Sequence, residues 1–265
     1  MQLAITIVDA FTDAVFSGNP AAVIITEQWL ADDLMQSIAT ENNLSETAFV
    51  VPTGVGCYQI RWFSPLTEID FCGHATLASA FVLFKQQPEL SALTFSAQAV
   101  GELLVEQTAA GDIKMNFPNT KPSKLEVIPK QLSAGLSIAP QEVYCNSQAY
   151  FVIYSTEAEV LTVERDNAQL KQLKPLDVVV TCRSESAEYD FISRYFWPAN
   201  GGDEDPVTGS IHTGLAPLWA ERLGKNKLLA YQASARGGVL KCSVIGDRVI
   251  ISGRAVQYLS GTISL

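Results

Sequence analysis

Hydrophobic and polar positions alternate weakly over residues 3–9, which predicts a strand, and after the turn Phe16-Ser17-Gly18-Asn19-Pro20 a second strand runs Ala21–Ile25. From Leu30 to Thr40, apolar residues at Leu30, Leu34, Met35 and Ile38 have helical spacing. Strands follow at Ala48–Val51, ended by Pro52, and at Tyr58–Phe63, closed by Ser64-Pro65. Cys72-Gly73-His74 then opens a helix to about Lys85 whose Leu77, Ala80, Phe81, Val82 and Phe84 leave little polar face. A second helix starts around Thr208-Gly209-Ser210 and carries Ile211, Leu215, Leu218 and Trp219, again apolar over most of its surface; Pro217 should kink it. Helices apolar nearly all round need cover on every side.

The two helices belong to a duplication. Arg61-Trp62-Phe63-Ser64-Pro65 returns as Arg194-Tyr195-Phe196-Trp197-Pro198 after 133 residues, and Gly73 returns as Gly209 after 136. Leu93-Thr94-Phe95, Ala97, Ala99 and Gly101 match Leu229-Ala230-Tyr231, Ala233, Ala235 and Gly237 at 136, and Gly111-Asp112 matches Gly246-Asp247 at 135. Similar offsets, in order, predict two related halves, 1–117 and 118–265. The polar, proline-bearing run from Asn116 to Pro122 falls at the boundary. The fold class expected is α+β, each half a sheet wrapped around a central apolar helix, with the active site in the cleft between them.

Composition narrows the class of protein. The 265 residues include 48% hydrophobic and 17% charged residues, an ordinary globular balance, and the net charge is −10. That charge argues against nucleic-acid or anionic-membrane surfaces, which want clustered Lys and Arg. The first residues lack a basic run and reach Asp9 early, and no apolar stretch approaches a membrane span, so a cytoplasmic protein is expected. Five scattered cysteines without a C-x-x-C pair read as reduced thiols rather than a disulfide framework or zinc cluster.

Candidate chemistry gathers at the helix starts. Asp205 precedes Pro206 and should be extended, with Thr208 as a cap hydroxyl and Gly209 and Ser210 offering uncrowded N–H groups to an anion. Gly73 is the matching device in the first half, although either glycine could simply allow close helix packing. Glu46 and Asp205, facing one dry cleft, would make a general acid–base pair if burial lifts one of their pKa values. Each also reads as an ordinary exposed or turn acid. Cys72 at a helix N-terminus could be a thiol base or an inert buried cysteine. His74 and His212, the only histidines, have no H-x-x-x-H spacing, so no metal is expected, and no glycine pattern implies a nucleotide cofactor.

The runs Gly18-Asn19-Pro20-Ala21-Ala22-Val23, Asn43-Leu44-Ser45-Glu46-Thr47, Asp70-Phe71-Cys72-Gly73-His74-Ala75-Thr76, Glu204-Asp205-Pro206-Val207-Thr208-Gly209-Ser210 and Arg236-Gly237-Gly238 resemble the PhzF-like isomerases (phenazine biosynthesis family), which share the diaminopimelate epimerase fold. The resemblance covers essentially the whole chain. It implies that Glu46 shuttles a proton, that His74 and Asp205 hold the substrate and assist, and that Gly73, Gly209 and Ser210 form an anion cradle. It also makes a homodimer a common arrangement. The epimerase branch uses one cysteine from each half as paired bases; here Cys72 fills the first place and the second half offers no thiol. The expectation is therefore a cofactor-independent isomerase shifting a proton on a small carboxylate-bearing substrate. The alternatives are an amino-acid epimerase or racemase using Cys72, and a non-catalytic carboxylate-binding protein.

Overall fold

The computed structural model describes all residues, Met1–Leu265, and divides into two compact units: Met1–Asn116 with Ser252–Leu265, and Phe117–Ile251. The first unit holds β1 (Gln2–Ala10), β2 (Asn19–Ile25), α1 (Asp32–Asn42), β3 (Glu46–Gly54), β4 (Cys57–Phe63), β5 (Glu68–Ile69), α2 (Gly73–Gln86), β6 (Ala92–Ala97) and β7 (Gly101–Gln107). β8 (Ile113–Pro118) carries the chain to the second unit. There follow β9 (Ser123–Lys124), α3 (Lys130–Ala134), β10 (Glu142–Cys145), β11 (Ala149–Ile153), α4 (Glu157–Thr162), α5 (Asn167–Leu170), β12 (Asp177–Arg183) and β13 (Phe191–Phe196). Then come β14 (Glu204–Asp205), α6 (His212–Leu223), β15 (Lys227–Gln232), β16 (Gly238–Ile245), β17 (Arg248–Gly253) and β18 (Ala255–Ser264). No helix is long and apolar enough to cross a membrane.

Both units repeat one order of pairings. In the first, β1–β2 is antiparallel, β2–β3 parallel, β3–β4 antiparallel, β4–β6 parallel and β6–β7 antiparallel. In the second, β10–β11, β11–β12, β12–β13, β13–β15 and β15–β16 follow the same order of directions. The first unit adds β18, antiparallel to β1 from Gln2↔Ser264 to Ala10↔Ala255. The last fourteen residues therefore complete the unit in which the chain began.

The apolar helices are central, as their composition predicts. All of α2 is buried except Phe81, Lys85 and Gln86, and it touches β1, β2, β3, β7 and β18, so the sheet curls around it. In α6, residues 212–220 are buried, and Trp219 stacks on Phe191 of β13 at 5.8 Å while its Nε1 donates to Thr181 Oγ1 of β12 at 3.0 Å. Gly214 lets α6 approach β11: a Cβ there would lie 2.6 Å from the Phe151 ring. The helix continues through the buried Pro217. Two boundaries differ from the sequence expectation. β3 runs through Pro52, which pairs with Tyr58 just before a register shift, and proline is tolerated at such an irregular strand end. α6 begins at His212 rather than at Thr208–Ser210. The bonds His212 N–H to Gly209 C=O and Thr213 N–H to Ser210 C=O wind the preceding residues into a tighter turn.

The repeat extends to an ion pair. Arg61 donates from Nε and Nη2 to the two carboxylate oxygens of Glu68, at 2.7 and 2.6 Å, and lies over the Phe63 ring. Arg194 grips Glu204 with the same fork at 2.8 and 2.9 Å, over Phe196. The second pair is the drier one: its side chains are 13% and 15% exposed, against 25% and 42% in the first. Losing one partner of an enclosed pair strands the other charge, whereas an exposed pair loses little. Glu204→Gln should therefore lower stability by about 2–4 kcal/mol and Glu68→Gln by about 1 kcal/mol or less, read from urea unfolding of the two variants.

Candidate active site

In the first unit three elements start at one place. β2 and β3 run parallel with Ala21 opposite Glu46, so Asn19 and Glu46 stand at the same end of adjacent strands. The C-cap Asn43 adopts φ +48, a left-handed geometry asparagine tolerates, and turns the chain from α1 into β3. Gly18 has φ +67, and a Cβ there would come within 2.2 Å of the Ala10 carbonyl oxygen, so only glycine fits before Asn19. α2 opens at Gly73, and Cys72 at the cap position makes no side-chain cap bond. The positive end of the helix therefore lacks a side-chain acceptor from its own cap.

The side chains at these ends interlock. Ser45 Oγ donates to Asn19 Oδ1 at 3.0 Å, which fixes the amide so that Asn19 Nδ2 donates to His74 Nδ1 at 3.2 Å. With Nδ1 accepting, the proton of the neutral imidazole sits on Nε2. His74 Nε2 lies 3.0 Å from Glu46 Oε2, and Glu46 is only 13% exposed. That oxygen is buried without an aligned hydrogen bond: it is near enough for an ion pair or proton transfer, yet unsaturated as an acceptor. Cys72 Sγ is buried 3.4 Å from His74 Nδ1. Donor atoms of Glu46, Cys72 and His74 all lie within 4.8 Å of one another, a set that could hold a metal ion. Because β3 and α2 contribute them jointly, spacing within one segment is no test of such a group.

The second unit gathers Asp205, Thr208, Gly209 and Ser210. Asp205 ends β14 opposite Tyr195. Thr208 does not cap α6 as the sequence suggested; its hydroxyl donates to Asp205 Oδ2. Gln232, fully buried at the end of β15, donates from Nε2 to the Asp205 carbonyl at 2.8 Å and accepts the Thr208 N–H at 2.9 Å. Ser234 Oγ donates to the Pro206 carbonyl at 2.7 Å. His212 Nδ1 donates to the Thr208 carbonyl at 2.8 Å, and complete burial lowers its pKa to about 4, which keeps it neutral. The acid-bearing turn is thus held by backbone and side-chain bonds on several sides. Ser210 Oγ accepts from Gln148 Nε2 at 2.9 Å.

Sequence reasoning missed the supporting residues Asn19, Ser45, Gln148 and Gln232. Gln232 left a signal: Leu228, Ala230 and Gln232 share the buried face of β15, and a polar residue on a core face needs a partner.

The model of the phenazine biosynthesis-like proteins (PhzC-PhzF) matches residues 8–261. The chain belongs to this family. A Pseudomonas aeruginosa protein named as an uncharacterized isomerase is 48% identical to it, with all of both chains covered. A Halalkalibacterium halodurans relative of the same designation is 43% identical, again over all of both. A crystal structure of a PhzF-family protein from Enterococcus faecalis, 43% identical, superposes with TM-score 0.94 over all of both chains. At the level of fold alone the likeness reaches a hydroxyproline epimerase from Agrobacterium vitis, with 12% identity, TM-score 0.57 and coverage of 100% of this chain and 93% of that one. This phenazine biosynthesis-like protein is an enzyme of the isomerase type, on the epimerase-like α+β fold expected from its sequence.

Two buried groups of its second unit titrate in opposite senses. Burial pushes the Asp177 carboxyl up from 3.8 to about 6, against hydrogen bonds from Tyr195 and Asn200, while the nearby Asp205 charge raises it further. His212 is lowered from 6.5 to about 4. As pH falls from 6.5 to 4 the unfolded chain protonates His212 first, which costs stability. Over nearly the same range the folded chain protonates Asp177 first, which adds it. The two offset each other in the wild type. In Asp177→Asn only the His212 loss remains, so between pH 6.5 and 4 that variant should lose on the order of 2–3 kcal/mol relative to wild type, measured by urea unfolding at each pH.

Proposed function

We propose that this enzyme moves a proton between two carbons of a small carboxylate-bearing substrate, with Glu46 as the carboxylate that takes and returns it. The observation that carries this reading is the buried, unsaturated Glu46 Oε2 facing a histidine of fixed tautomer. An enclosed carboxylate oxygen with no aligned donor has lone pairs available to take a proton from a substrate carbon. Glu46 would remove a proton from carbon as a C=C bond forms, the original C=C bond shifts its electrons to the next carbon, and Glu46 would deliver the same proton there. Such a shift is redox-neutral and needs only one group able to hold a proton. His74 Nε2–H would hold a polar substituent near the reacting carbon. The N–H groups at the start of α2 would take the substrate carboxylate and stabilise developing negative charge. In the second unit, Asp205, held by the Thr208 hydroxyl, would orient a bound anionic group of a substrate, and Gly209 and Ser210 would contribute N–H and hydroxyl donors to it.

The contact between Cys72 Sγ and His74 Nδ1 supports a second reading, an epimerase in which the thiol gives its proton to His74 and then acts as base. The two readings separate in one assay. A panel of small unsaturated, cyclic and amino carboxylates is incubated with the enzyme in D₂O, and carbon-bound proton exchange is followed by NMR. Glu46→Gln should lower exchange by about 10²–10⁴-fold while Cys72→Ser retains most of it. Wild-type exchange in Glu46→Gln, with loss in Cys72→Ser, would replace the carboxylate shuttle with the thiol.

A further inference from the structure

Asp177 occupies in the second unit the place that Glu46 occupies in the first. Each opens its strand. Glu46 lies opposite Ala21 of the parallel neighbour, and Asp177 lies opposite Ala149. The next residues, Thr47 and Val178, pair with Phe63 and Phe196, the aromatics of the duplicated Arg-x-Phe motif. The offset here is 131 residues, outside the 133–136 of the other matches, so the equivalence emerges only from the pairing register.

The two acids have opposite surroundings. Glu46 Oε2 has no aligned donor, whereas both oxygens of Asp177 are engaged: Tyr195 Oη donates to Oδ2 at 2.7 Å and Asn200 Nδ2 to Oδ1 at 2.9 Å. The chain of bonds continues outward. With its hydrogen committed to Asp177, Tyr195 Oη is an acceptor, and Gln148 Nε2 donates to it at 3.3 Å. The second hydrogen of that Nε2 goes to Ser210 Oγ at 2.9 Å. Asp177 and Tyr195 are both buried, so the direction of this chain is not set by water. A Ser210 oxygen that already accepts from Gln148 has its own hydrogen left to give.

We propose that Asp177 is a positioning residue: acting through Tyr195 and Gln148, it commits the Ser210 hydroxyl to donate to an anionic group of the substrate. The duplication has thus kept a carboxyl at the head of the equivalent strand in each unit and given the two different work, one left unsaturated to move protons, the other saturated to orient a donor. This rests on the reading above in which Ser210 holds substrate. Protonation of Asp177 would let the acid donate to Tyr195 Oη and free the Tyr195 hydrogen for a rotated Gln148 amide, whose oxygen would then also accept from Ser210, so the order of the chain should be lost below the range where Asp177 ionises, near pH 6. The groups acting on Asp177 are the Tyr195 hydroxyl and the Asn200 amide, with Asp205 as the neighbouring charge; burial and Asp177 itself hold Tyr195 protonated far above neutrality.

The experiment uses the full-length protein and benzoate as the probe, with binding followed by calorimetry from pH 5 to 7.5. At pH 7.5, Ser210→Ala, Asp177→Asn and Tyr195→Phe should each weaken benzoate about tenfold, the scale of one hydrogen bond to a charged group. The double variant Asp177→Asn/Tyr195→Phe should be no weaker than either single one, because both act through one chain. The ratio between wild type and Asp177→Asn should shrink toward one as pH falls through 6. A purely structural Asp177 would instead lower the melting temperature with no change in that ratio across pH, and this outcome overturns the proposal. Weakening by Ser210→Ala but by neither Asp177→Asn nor Tyr195→Phe would also overturn it, while leaving Ser210 as a substrate holder. No effect of Ser210→Ala, or no binding of benzoate by the wild type, would remove the underlying reading as well.

Discussion

An α-helix with no polar side has to be enclosed, and enclosing it also buries the polar groups at its N-terminus. This constraint organises the first unit around α2, where Ala75, Leu77, Ala78, Ala80 and Leu83 leave no face for water and strands from β18 to β7 curl about it. The strands that cover the sides of α2 are parallel where β2 meets β3, so their starting residues lie together. Asn19 and Glu46 are those starting residues, and they meet Cys72 and His74 at the helix start. The same enclosure that stabilises the helix thus assembles a dry group of a carboxylate, an imidazole, a thiol and an amide.

Buried polar atoms must find partners or remain costly, and the distribution of partners distinguishes support from chemistry. Asn19 and Gln232 engage both ends of their amides, and their neighbours inherit a fixed orientation. Glu46 Oε2 is the contrasting atom, enclosed yet left without an aligned donor. His212 Nε2 is also unpartnered, but its ring is neutral and wholly enclosed, so it carries a packing cost rather than a reactive charge. The Glu46 oxygen thus differs from every other enclosed carboxylate described above in facing a tautomer-fixed histidine without an aligned bond.

The duplication shows what each unit needs as a fold. Both keep the order of strand directions, the long apolar helix, and an arginine fork gripping a glutamate over a phenylalanine. They part at the heads of β3 and β12, where Glu46 and Asp177 have unlike partners. Divergence at matched positions inside a retained frame leaves one architecture with two carboxyls in opposite hydrogen-bonding states.

Much of this was legible in the sequence, because periodicity and composition act locally. The apolar run from Leu77 to Phe84 implied an enclosed helix, the recurring Arg-x-Phe and glycine positions implied two similar units, and the family motifs singled out Glu46, His74 and Asp205. Thr208 was misassigned as a cap because a hydroxyl near a helix start usually serves the backbone, and only the fold places Asp205 within its reach. The return of β18 to β1, the donation of Asn19 to His74, the clamp made by Gln232 and the kinship of Asp177 with Glu46 involve residues far apart in the chain. The sequence by itself determined that two enclosed apolar helices lie in related strand-rich units, and which residue types are available near their starts. Tertiary structure alone decided which donors face which acceptors, since hydrogen bonding depends on separations of a few ångströms between residues that register and packing, not local pattern, bring together.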